Sequence, residues 1–80
     1  MNFKPGDYVY NNCLSNKIYS YYIKVIGNYP YDNSLFVGSV IETDDPNVTI
    51  FKNYEFNINA YSLIEDKDII NRLNKILVFK

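Results

Sequence analysis

Between Tyr54 and Ala60 apolar and polar positions alternate: Tyr54, Phe56, Ile58 and Ala60 stand against Glu55, Asn57 and Asn59. A period of two places one set on a buried face and the other in water, so the segment predicts a β-strand. Ile18 to Val25 alternates in the same way. Tyr19, Tyr21, Ile23 and Val25 share one face; Ser20, Tyr22, Lys24 and Ile26 share the other. From Leu35 to Ile41 both faces are apolar, with Leu35, Val37 and Ile41 opposite Phe36, Gly38 and Val40. That pattern suits a strand in a closed or two-sided sheet, and Gly38 within it marks a bulge or a close backbone approach. Thr43-Asp44-Asp45-Pro46-Asn47 is a turn cluster, in which Asp side chains bond nearby amides and Pro presets φ. Val48-Thr49-Ile50-Phe51 is β-branched and aromatic and predicts the next strand. Leu35 to Ala60 therefore reads as a three-strand meander. Tyr8-Val9-Tyr10 predicts an earlier strand, entered through a Pro5-Gly6 turn that Asp7 is placed to hold. The polar stretches 11–17 and 27–34 read as loops.

After Ile64 the period changes. Ile69, Ile70, Leu73, Ile76 and Leu77 recur at helical spacing. Glu65, Asp66 and Asp68 precede them, and Arg72, Lys75 and Lys80 fall late, both in the sense that the helix dipole favours. A helix is predicted over about 66–76, its apolar stripe packed on the sheet. Val78-Phe79 either ends it or forms a short last strand.

Composition narrows the picture. Eighty residues make one domain, 1–80, and 48% hydrophobic side chains exclude a disordered chain. A single cysteine, Cys13, rules out an internal disulfide and is expected to pack as a buried or half-buried thiol. No apolar run approaches membrane-spanning length and no leader segment is evident, which predicts a cytoplasmic protein. Net charge is −1: residues 1–40 carry +1, through Lys4, Lys17 and Lys24 against two acids, and residues 41–80 carry −2. Neither half has the field of a nucleic-acid binder. Frequent Asn, Ile, Lys and Tyr, with one Ala and one Arg, resembles the usage of AT-rich bacterial genomes or their phages.

Phe3, Gly6, Asp7 and Val9 form the pattern aromatic-x-x-Gly-Asp-x-Val. With Gly38-x-Val40-Ile41, the acidic turn, Val48-Thr49-Ile50 and Ala60 to Ile64, it resembles SH3-like small β-barrels, including Tudor-, KOW- and phage-type versions, over residues 3–64. The resemblance implies a mostly β fold, a small antiparallel barrel, here with a C-terminal helix. The alternative is an open α+β sheet with the helix across one face. Function does not follow from the fold. The tryptophan and acidic-aromatic motif of proline-peptide binders are missing, as are the clustered basic residues of KOW-type RNA binders.

The chain has no histidine, which removes the commonest general base and the usual partner of a Ser or Cys nucleophile. No phosphate-cradling loop is present. Glu42, Asp44 and Asp45 offer oxygens to a hard cation, but without EF-hand spacing they read as turn caps, so no metal, cofactor or enzymatic role is expected. Nine tyrosines exceed the needs of a small core, and tyrosine is favoured at protein interfaces. The expected binding surface comprises Tyr29 and Tyr31, flanking Pro30, together with Tyr22, Tyr19, Asp44 and Asp45. The expected function is non-catalytic protein binding, one form being a phage-encoded inhibitor of a host defence protein, anti-CRISPR or similar. Two other classes are carried: a nucleic-acid-binding barrel using Lys4, Lys17 and Lys24, and self-association through Ile76 and Phe79 of the helix.

Overall fold

Five strands form a single antiparallel sheet in a computed structural model that describes residues 3–79. They are β1 (Tyr8–Asn11), β2 (Tyr21–Asn28), β3 (Leu35–Thr43), β4 (Asn53–Asn57) and β5 (Tyr61–Leu63). Their order is β4-β3-β2-β1-β5, so β4 and β5 are edges and the sheet is not closed. A 3-10 turn at Ile58–Ala60 joins those edges, and helix α1 (Lys67–Val78) follows. The mostly β expectation with a C-terminal helix holds, and the helix lies across one face of the sheet.

The two faces carry separate cores. On the inner face Phe3, Val9, Tyr21, Ile23, Val25, Phe36, Val40 and Tyr61 are buried together. Phe36 is its centre, edge-on to Phe3 at 5.3 Å and to Tyr61 at 5.5 Å, and tilted against Phe56 at 5.5 Å. Such ring pairs contribute about 0.5–1.5 kcal/mol each beyond area burial. On the outer face Tyr8, Ile41 and Ile64 take the buried Leu73 of α1, with Tyr22, Phe51, Ile69, Ile70, Ile76 and Leu77 around them.

Two bulges in the β2–β3 ladder serve both faces. Ile26 is the extra residue between the pairs Val25↔Gly38 and Gly27↔Val37, and Ile41 the extra residue between Ile23↔Val40 and Tyr22↔Glu42. The second bulge turns Ile41 to the helix side although its neighbour Val40 faces the inner core. Each bulge sharpens local twist. Gly38 is a close approach, as its position suggested: a Cβ there would stand 2.3 Å from Ile23 Cγ2.

Four expectations change. The strand expected from Ile18 begins at Tyr21 and runs on to Asn28. Before it, the backbone bonds side chains instead of a strand: Asn11 Oδ1 accepts from Tyr21 N, Asn11 Nδ2 donates to Tyr19 O, and Ser20 N donates to Asp44. Val48 to Phe51 is a loop. Val48 packs on the inner core and Phe51 on the outer one, and Phe51 adopts φ 67°, which no strand allows. The alternation over 54–60 persists in burial, but the backbone leaves the ladder at Asn57, whose side chain accepts from Asn59 N at 2.9 Å. Cys13 is exposed, because Asn12 pins its turn at the surface by accepting from Leu14 N and Ser15 N.

The helix matches its prediction and extends it. Asp66 is the N-cap, accepting from Asp68 N at 2.9 Å and Ile69 N at 3.4 Å. Val78 is helical and Phe79 caps the end by donating to Lys75 O. Lys80, counted among the late cations, lies outside the described residues. The Tyr8 hydroxyl donates to Asn74, and Arg72 pairs with Glu42 while lying over the Tyr22 ring. Among the described residues no helix is long and apolar enough to cross a membrane.

Candidate functional site: a tyrosine tip and an aromatic groove

The tip of the β2–β3 hairpin holds Tyr29, Pro30 and Tyr31. Asp32 folds it: one carboxylate oxygen accepts from both Ser34 N and Ser34 Oγ, at 2.9 and 2.6 Å. Those bonds hold the Asp32 carboxyl below the usual carboxylate range. Leu35 N donates to Asp32 O, Tyr29 N to Leu35 O, and Ile58 N to Ser34 O, so the tip is tied to its own strands and to the 3-10 turn. On this frame Tyr29 and Tyr31 pair edge-to-face at 5.6 Å. Tyr29 is half-buried and Tyr31 is 86% exposed.

The other predicted site residues lie elsewhere. Tyr21 and Asn28 bound β2, which spans about 23 Å at ~3.3 Å per residue. Tyr19, Asp44 and Asp45 sit beyond its far end from the tip. Tyr19 packs on the inner core, Asp44 accepts from Ser20 N, and Asp45 accepts from the Tyr21 hydroxyl and from Asn47 N. Tyr22 is on the outer face beneath Arg72. The six residues therefore form no single surface. Glu42, Asp44 and Asp45 also diverge, toward Arg72, Ser20 and Tyr21.

At that far end the inner face opens into a groove of about 650 Å³. Val40, Val48, Tyr54 and Phe56 wall it, and Leu14 of the β1–β2 loop overhangs it. Lys17, Tyr21, Asp45, Glu55 and Tyr61 supply its polar groups. The Tyr21 hydrogen bond, aided by Asn47 N and the Lys17 charge, holds the Asp45 carboxyl low. Burial and the same bond push the Tyr21 phenol well above its ordinary range. Tyr61 is 5% exposed, and its hydroxyl reaches no hydrogen-bond partner among the described residues. Burial pushes that phenol up to about 12. Compared with known protein families, curated proteins and solved structures, the chain matches none.

Sequence reasoning named Asp45 and Tyr61 but not their meeting place. No spacing rule links 17, 45 and 61; the groove arises because the β1–β2 loop, the β3–β4 loop and β5 converge through long-range pairing. The lysines carried for nucleic acid do not converge. Lys17 lies over Tyr21 at the groove, Lys24 over Tyr8 on the helix face, and Lys4 in the turn before β1. Ile76, carried for self-association, packs on the outer core, whereas Phe79 is exposed.

Proposed function

We propose that this chain is a non-catalytic protein-binding module that engages its target through the Tyr29–Tyr31 tip. The observation that carries the reading is an exposed aromatic pair on a hairpin tip braced by its own hydrogen bonds. Isolated exposed apolar residues such as Ile18 are ordinary on protein surfaces. A preformed pair differs, because ordering a side chain on binding costs about 0.5–1.5 kcal/mol and a braced tip has met that cost beforehand. Tyrosine also brings a large apolar ring with a polar end, the usual make-up of an interface anchor.

The fold reading that accompanies this is an SH3-like barrel left open at one seam. Two bulges and the close approach at Gly38 support it, since these devices curl a sheet toward closure. A phage-encoded inhibitor of a host defence protein is one form such a module takes: occupying a functional surface asks no chemistry of the binder. Its partner is then a protein met in the cytoplasm.

The test is affinity capture from the lysate of an AT-rich bacterial host, with and without nuclease, comparing the parent chain with Tyr31→Ala. One stoichiometric protein that survives nuclease and is lost with Tyr31→Ala supports the reading. Truncating a central aromatic anchor costs about 2 kcal/mol or more, roughly a thirtyfold loss of affinity. Capture that vanishes with nuclease, or that ignores Tyr31, sinks it.

A further inference from the structure

We propose that the groove between the β1–β2 loop and β4 is a second site, distinct from the tip, that binds a small, neutral, largely apolar molecule through a hydrogen bond donated by Tyr61. Its volume of about 650 Å³ lies within the range of small-molecule sites, roughly 300–1,000 Å³. Its walls are aromatic and aliphatic, from Tyr54, Phe56, Val40 and Val48.

The polar groups define the guest. The Tyr21 hydroxyl is spent on Asp45, with the Lys17 charge nearby. Glu55 lies on the exposed rim. A cationic guest would meet Lys17, and an anionic one would meet Asp45 and Glu55, so a neutral guest fits best. One buried donor remains. The Tyr61 ring is clamped between Phe36 at 5.5 Å and Phe56 at 5.3 Å, and neither ring offers its hydroxyl an acceptor. A buried hydroxyl without a partner is a standing penalty, and phenylalanine would pack in the same space without it. A carbonyl entering along Phe56 removes the penalty, which gives the hydroxyl a use that packing does not.

The experiment titrates isotope-labelled protein with acetophenone and, separately, with ethylbenzene, following backbone amide shifts. Both probes carry the same ring, and only the ketone accepts a hydrogen bond. The expected result is saturable shifts at Val40, Phe56 and Tyr61, with the ketone bound about three- to tenfold more tightly, the worth of one net hydrogen bond. Tyr61→Phe should abolish that preference and leave ethylbenzene binding unchanged, with a urea midpoint at or above the parent's. Tyr31→Ala should change neither titration. Equal binding of the two probes, a ketone preference that survives Tyr61→Phe, or no saturable shift at the groove amides overturns the proposal. None of these outcomes bears on the tip.

Discussion

Gly38→Ala adds a single methyl group at the most crowded point of the sheet. Gly38 is buried in β3, paired with Val25 and Tyr54 on its two sides. The new carbon would lie 2.3 Å from Ile23 Cγ2, 3.2 Å from Phe36 Cε2 and 3.3 Å from the Lys24 carbonyl oxygen. Ile23 has no exposure, and its Cγ2 moves only with χ1, which a branched Cβ holds stiffly. Relief therefore has to come from the backbone of β2 or β3. Such overpacking costs about 1–3 kcal/mol, against ~0.4–1 kcal/mol gained by restricting the unfolded chain. A net loss of about 1–2 kcal/mol is expected, which lowers Tm by roughly 5–15 °C in a domain of this size. Gly27→Ala is the matched control, since a Cβ there meets nothing within 4 Å, and it should be neutral or slightly stabilising. Urea unfolding followed by far-ultraviolet circular dichroism measures both, with equal m-values required for the comparison. In the double variant Ile23→Ala/Gly38→Ala the clash partner is gone, so the combined loss should be smaller than the sum. If Gly38→Ala is as stable as Gly27→Ala, the steric account of β3 is wrong.

Two further outcomes follow from the described contacts. Asp66→Ala removes the cap of α1 and should cost about 1 kcal/mol, read as a lower urea midpoint, while Asp66→Asn should retain most of it. Burial raises Tyr8, Tyr21 and Tyr61 above the ordinary phenol pKa near 10, so the native state favours their neutral forms. That stability is complete below about pH 10 and is lost as pH rises through the folded values. Unfolding midpoints should thus fall from about pH 10 upward, and tyrosinate absorbance should show a late phase that shrinks in Tyr61→Phe. A single early tyrosinate phase with unchanged midpoints would contradict the burial of these rings.

Periodicity was informative wherever a segment has one wet and one dry face. Tyr21, Ile23 and Val25 are buried as their alternation requires, and Asp66 caps the helix whose stripe ends in Ile76 and Leu77. It misled where local preference and tertiary demand diverge. Val48 to Phe51 has β-branched and aromatic residues suited to a strand, yet it bridges two cores, and only a left-handed Phe51 lets it do so. Ile18 continues an alternating pattern into a stretch where Asn11 and Asp44 supply the partners a strand would have supplied. The tyrosine tip was readable because its residues are neighbours in sequence. The groove was not, because Lys17, Asp45 and Tyr61 become neighbours only after the strands have paired.

The two-sided sheet also sets a schedule for synthesis. Tyr8, Tyr22 and Ile41 belong to strands made well before α1, which packs over them. Hairpins form in about 1–10 μs, whereas a ribosome adds roughly 5–20 residues per second. The β2–β3 hairpin is therefore complete for seconds while its outer apolar face is bare, and nothing in folding speed can shorten that interval. Ribosomal pace between Ile41 and Lys67 determines how long that face meets chaperones, proteases or other nascent chains. Slow codons in this stretch would lower yield without changing the stability of the finished protein.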